Sequence, residues 1–158
     1  MTGEPVNAGK PKAGRSKARA AARLAAVQAL YQHDMESTPQ AQLLDEFHQH
    51  RLGAVIDDDR YADAEVPFFD AVVMGVLARR DEVDAHLTEK LAQGWSLARL
   101  DKTMLQILRA GAWELMARPD VATGTVISEY LDIAHAFFDQ RETKFANGVL
   151  DAVAKSVR

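Results

Sequence analysis

The sequence predicts an all-α protein of about seven helices, and three observations carry that expectation. Apolar residues recur every three or four positions through most of the chain, which is the period of one buried helical face. No segment combines two-residue alternation with hairpin turn chemistry, so no sheet is expected. Pro39, Pro67 and Pro119 fall where one periodic stretch gives way to the next.

The elements follow in order. Residues 1–14 hold Gly3, Pro5, Gly9, Pro11 and Gly14 among lysines and small residues. That is too little apolar surface to offset the entropy of ordering, so a disordered basic arm is expected. A helix is expected over about 16–36, with Ser16 placed to cap it. Leu24, Val27, Leu30 and Tyr31 make its buried face, and Arg15, Arg19 and Arg23, spaced by four, make a cationic edge beside it. A short helix over 40–52 follows Thr38-Pro39, with Leu43, Leu44 and Phe47 inward. Residues 53–64 contain Gly53, Asp57, Asp58, Asp59 and Asp63; without the alternating ligand spacing of a calcium loop they read as a solvated acidic loop. Pro67 opens a helix with Phe68, Phe69, Val72, Val73, Val76 and Leu77, which either runs on or breaks near Arg79-Arg80 into a helix over 81–93.

Ser96 introduces the clearest amphipathic helix, about 97–117, whose stripe is Leu97, Leu100, Met104, Ile107, Leu108, Gly111 and Leu115. Arg118-Pro119-Asp120 stops it. The next helix starts at Thr125 and turns Val126, Ile127, Tyr130, Leu131, Ala134, Phe137 and Phe138 inward. The last, about 142–157, has Phe145, Val149, Val153 and Val157 on one side.

At 158 residues the chain is long enough for one domain, or for two small helical subdomains sharing a core. It has no cysteine, which excludes disulfides, zinc ribbons and a thiol nucleophile and suits a reducing cytosol. No apolar run approaches the roughly 20 residues of a membrane helix, and no hydrophobic signal core follows the basic start, so a cytoplasmic protein is expected. The net charge of −4 conceals an asymmetry. Residues 1–23 carry Lys10, Lys12, Arg15, Lys17, Arg19 and Arg23 against Glu4 alone, while the remaining 135 residues carry 13 basic and 22 acidic side chains. A basic arm on an acidic body suits a protein that touches a polyanion at one end.

Catalytic signals are missing. There is no glycine-rich phosphate loop and no nucleophile elbow, and of the histidines His33, His48, His50, His86 and His135 the closest pair, two apart on a helix, lies on different faces. Neither an enzyme activity nor a metal or cofactor is expected. Nucleic-acid signals are stronger. The cations of Lys12 through Arg23 suit phosphates, and Lys144-Phe145-Ala146-Asn147-Gly148 puts a cation, a ring and an amide within about one helical turn, as single-stranded RNA requires. Phe145 taken alone reads first as core, and Gly75, Gly111 and Gly148 read also as close helix crossings.

Four segments carry a family resemblance. Arg23-Leu24-Ala25-Ala26-Val27-Gln28-Ala29-Leu30-Tyr31-Gln32 resembles the first-helix signature of the NusB family, and Ile107-Leu108-Arg109-Ala110-Gly111-Ala112-Trp113-Glu114-Leu115 resembles its LR-x-A-x-[YW]-EL pattern. Val126 through Ala134 looks like its next helix, and Lys144-Phe145-Ala146-Asn147-Gly148-Val149-Leu150-Asp151 is similar to its KFVNGVLD segment. In the right order, they span about residues 15–155.

The resemblance implies a NusB-like fold of two small helical bundles packed together, here 15–79 and 80–158. It implies binding of boxA-containing single-stranded RNA from ribosomal RNA operons, a partnership with the small-subunit ribosomal protein NusE, and entry into the RNA polymerase antitermination complex. Homodimer and monomer both remain open. By position it nominates Arg19, Arg23, Lys144, Phe145 and Asn147 for RNA, then Gln28 and Tyr31, with Arg15 and Lys17 in the matching upstream arm. Three departures matter: Ala20-Ala21-Ala22 where further arginines are usual, Met104 where an acidic residue is common, and Arg141-Glu142-Thr143 before the KF segment. The competing implication is a protein–protein module like the NusB-like domain of RNA cytosine methyltransferases. The RNA reading requires the cations of the first helix and the ring and amide of the last to share one surface.

Overall fold

The structure is a computed structural model, and it describes residues 12–50, 52, 55–56, 59–60 and 65–158. Seven α-helices follow in order: α1 Lys12–Glu36, α2 Gln40–His50, α3 Val66–Ala78, α4 Arg80–Lys90, α5 Lys102–Ala117, α6 Thr123–Phe137 and α7 Gln140–Val157, with a 3₁₀ turn at Leu97–Arg99. The acidic stretch holds one feature not expected from the sequence, an antiparallel ribbon of two two-residue strands, β1 Val55–Ile56 and β2 Asp59–Arg60. Most of the expected basic arm (residues 1–11) and Gly53, Asp57, Asp58 and Asp63 lie outside the described residues.

Helix boundaries correct the sequence reading at two caps and decide one alternative it left open. α1 starts at Lys12, so Ser16 lies inside it and does not cap it. It ends at Ser37, whose φ of 57° is the left-handed conformation of a helix terminus and whose N–H returns to the His33 carbonyl at 2.9 Å. The break offered as an alternative near Arg79-Arg80 is present: Arg79 leaves helical geometry, and its N–H closes the last turn of α3 on Gly75. The third boundary is α5. Its cap is Asp101, not Ser96; the Asp101 carboxylate accepts from the N–H groups of Thr103 and Met104 at 2.8 and 3.2 Å, and the 3₁₀ turn precedes it.

α5 organises the core. Every residue from Met104 to Leu115 is buried, because α1, α3, α4, α6 and α7 all pack on it. The expected single apolar stripe therefore understates its burial, and the polar residues of its other faces are paired inside. Gln106 donates to Asp34 at 3.3 Å, Arg109 clasps Asp84 at 2.8 and 2.9 Å, and Glu114 receives Arg23. α1 approaches closely because Ala18, Ala22, Ala25, Ala26 and Ala29 fill its inner face. The expected close crossings hold at Gly75, where a Cβ would lie 2.2 Å from the Trp113 ring, and at Gly111, where it would lie 3.0 Å from Leu150, but nothing approaches Gly148. Phe137, expected inside, is 50% exposed. The far end of α5 is tied by Arg158, whose guanidinium donates to the carbonyls of Leu115, Arg118 and Val121 at 2.7–3.0 Å and so satisfies acceptors that a helix end leaves open.

Candidate nucleic-acid interface

The first turns of α1 overhang the core, so its arginines differ in depth along the axis. Arg15 and Lys17 are exposed. Arg19 is half-buried at the edge, with Nε 3.2 Å from Glu65 and its guanidinium 4.6 Å over the Phe68 ring. Arg23 is a correction to the nominated RNA contacts: it is 2% exposed, and Glu114 occupies its Nε and Nη2 at 3.0 and 2.7 Å. Burial opposes its charge, but the Glu114 bonds and the nearby carboxylates outweigh that and hold its pKa above the usual arginine value. Tyr130 completes the cluster by donating to Glu114 at 2.9 Å; burial, then the Glu114 charge, pushes its phenol well above the usual range. Arg23 thus holds α1 to α5 and α6, with its Nε and Nη2 taken by Glu114.

A cleft of about 240 Å³ opens beside this anchor, lined by Arg15, Ser16, Arg19, Arg23, Val121, Thr125 and Glu129. Glu129 sits 3.5 Å from Arg23. Its pKa is raised, by burial first, against the pull of Arg23. A carboxyl raised in the folded state favours folding most below its unfolded pKa and loses that advantage as pH rises through the folded value. Glu129→Gln removes the titration, so the melting temperature of the variant minus that of the parent should grow more positive between pH 4 and pH 7. A flat or falling difference in paired thermal melts would refute this.

Gln28 and Tyr31 lie elsewhere on α1. Both are exposed and line a depression of about 320 Å³ with Val27, Gln32, Glu36, Phe47, Thr103 and Phe137. Phe145 lines a third and larger hollow, about 410 Å³, with Trp95, Arg99, Leu100, Asp101, Met104, Phe138, Arg141 and Glu142. Its ring is half-buried, with its centroid 6.4 Å from that of Trp95, so it is neither pure core nor a bare platform. Met104, 3% exposed, is part of the floor. Lys144 and Asn147 are exposed. Two residues apart on α7, Phe145 and Asn147 point about 160° away from each other.

The nominated residues that line hollows are divided among three of them. Arg15 and Arg19 share a cleft, Gln28 and Tyr31 another, and Phe145 a third, while Asn147 takes the other flank of α7. Glu129 of α6 lines the arginine cleft, and Phe138, the residue that ends α6, lines the aromatic hollow. Sequence reasoning missed Trp95, Arg99, Arg141 and Phe138 at the hollow and Ser16 and Thr125 at the cleft. The one local signal was Trp95 itself, a large aromatic in a loop. Among the described residues no three side chains gather as metal ligands, and no helix is long and apolar enough to cross a membrane.

The model of the NusB family matches residues 20–155. The chain belongs to the NusB family. Its similarity to the transcription antitermination protein NusB of Novosphingobium aromaticivorans is 73% identity over 142 residues, 90% of this chain and 96% of that protein. The NusB of Sphingopyxis alaskensis is 66% identical over 144 residues, 91% and 97% of the two chains. Among solved structures, T. maritima NusB matches with a TM-score of 0.70 at 28% identity, covering 87% of this chain and 90% of that one. A chain from a complex of antitermination factors NusB and NusE with dsRNA matches with a TM-score of 0.73 at 24% identity over 88% and 97%, a likeness of fold. The NusB fold expected from the four motifs is thus the fold of this chain, and the matched span includes all four.

Proposed function

We propose that this NusB-family chain is a non-catalytic, cytoplasmic RNA-binding factor of transcription antitermination. It binds boxA-containing single-stranded RNA of ribosomal RNA operons together with NusE, and so joins the elongating RNA polymerase complex. The observation that carries this reading is the cleft at the start of α1, where Arg15 and Arg19 stand beside the hydroxyls of Ser16 and Thr125. Guanidinium and hydroxyl donors around a small hollow are the groups that hold phosphate oxygens. Arg15 and Lys17 are exposed, and both belong to the basic end of an otherwise acidic chain. Tyr31, Met35 and Phe137, each 39–53% exposed, support a protein contact beside the RNA, since exposed apolar groups of this size mark partner surfaces.

A gel-shift titration tests the reading. A boxA-like RNA should bind more tightly than a scrambled one of equal length, and NusE should increase the difference. Equal affinity for both, with and without NusE, would contradict it. Counterion release adds a second expectation. Arg15→Ala with Lys17→Ala should flatten the slope of log K against log salt by about 0.7 per lost phosphate contact. An unchanged slope would remove these two side chains from the interface.

A further inference from the structure

We propose that Arg118, at the turn between α5 and α6, is a further contact for an RNA phosphate beside Arg19, and that the Asp120 carboxylate occupies its guanidinium until the phosphate displaces it. This rests on the RNA reading above and extends it to a turn that none of the four motifs includes. One buried ring organises the cluster. Phe68, in the first turn of α3 after Pro67, is 2% exposed, and the Cζ atoms of Arg19, Arg23 and Arg118 lie 4.6, 4.8 and 5.1 Å from its centre. Arg19 of α1 and Arg118 at the end of α5 are therefore neighbours on one ring. The backbone of Arg118 is pinned: its N–H donates to Glu114 at 3.0 Å, and its carbonyl accepts from Val121 N–H at 3.0 Å and from Arg158 at 2.7 Å. Val121, Arg19 and Arg23 also line the cleft of Arg15, so the ring and the cleft adjoin.

The three guanidiniums each have a carboxylate, but the pairs differ in how firmly they are held. Glu114 is fully buried with Arg23, and that pair stays closed. Asp120 is 56% exposed and takes Nε and Nη2 of Arg118 at 3.0 and 2.9 Å. A pair so open to water is weak, and a phosphate presents the same two-oxygen edge to the same fork. Glu65 takes only Nε of Arg19, so among the described residues both Nη atoms of Arg19 and Nη1 of Arg118 have no partner. The charges act on one another: the Arg118 bonds, first, hold the Asp120 carboxyl down at about 2, and Arg19 adds to that lowering. At this surface Arg15, Arg19 and Arg118 face Glu65, Asp120 and Glu129, a balance of three against three. Release of Asp120 into water leaves the guanidinium edge to the phosphate, next to the cleft where the strand already lies.

The test follows single-stranded boxA-like RNA by anisotropy over a salt series, with the full chain and its variants Arg118→Gln, Asp120→Asn and the two combined, and with the melting temperature of each. Arg118→Gln keeps an aliphatic stem on Phe68 and removes the fork. It should weaken binding about fivefold and flatten the slope of log K against log salt by about 0.7, one phosphate contact on a single strand. Asp120→Asn should tighten binding about threefold, and that gain should vanish in the combined variant, where no guanidinium is left to free. A lower melting temperature for Arg118→Gln, with affinity and slope at parental values, would overturn the contact and make Arg118 a brace of the turn; the variant with Arg15→Ala and Lys17→Ala, run alongside, would still show a flattened slope if the RNA reading stands. A gain from Asp120→Asn as large without Arg118 as with it would overturn the displacement, since any lost negative charge would then serve. Absence of RNA binding by the parent at the lowest salt would overturn both the contact and the RNA reading.

Discussion

Replacing Glu114 with alanine is expected to destabilise the protein by about 3–5 kcal/mol, the cost of leaving one partner of a buried ion pair alone. Glu114 is 0% exposed and holds Arg23 at 2.7 and 3.0 Å and the Tyr130 hydroxyl at 2.9 Å, so its removal strands a guanidinium and a phenol inside the contact of α1, α5 and α6. The double variant Arg23→Met with Glu114→Leu should recover part of the loss, since apolar residues of similar volume remove the buried pair together while the Tyr130 hydroxyl and Glu129 still lose their partners. Chemical denaturation of the two variants decides it: a loss under about 1 kcal/mol for Glu114→Ala would show that Arg23 finds water or another carboxylate. The double variant also tests the placement of Arg23. If it folds and binds boxA-like RNA as the parent does, Arg23 serves the fold and not the RNA.

Gly75→Ala is expected to cost about 3 kcal/mol, the upper end for overpacking a core. The added methyl would lie 2.2 Å from the Trp113 ring, and Trp113 is 6% exposed, so neither group has room to withdraw without moving α3 from α5. Trp113→Leu should cost less in the Gly75→Ala background than in the parent, because the smaller side chain leaves room for the methyl. A double-mutant cycle from thermal melts measures that coupling, and additive losses would contradict the contact.

The helices were legible because each buries a face at regular spacing, and the four motifs were specific enough for the family. What the sequence concealed was pairing across distance. The sequence shows α5 only by its apolar stripe, yet Arg109 meets Asp84 at a separation of 25 residues, Gln106 meets Asp34 at 72 and Glu114 meets Arg23 at 91, so no local window shows that they are buried. For the same reason Arg23 looked like the inner member of a basic stripe, when its depth along α1 makes it a core residue. Ser96 and Asp101 are both good caps, and the 3₁₀ turn between them decided which one α5 uses. The separation of Phe145 from Asn147 was legible: the two-residue spacing that parts His48 from His50 on a helix parts these two as well.

RNA bound at the arginine cleft beside the start of α1 is most directly tested by photocrosslinking boxA-like RNA that carries 4-thiouridine at successive positions, with the attached peptides identified by mass spectrometry. Crosslinks should fall on residues 15–19 from a restricted set of adjacent positions in the RNA. Crosslinks confined to α2 and α4, or scattered without regard to position in the RNA, would contradict it.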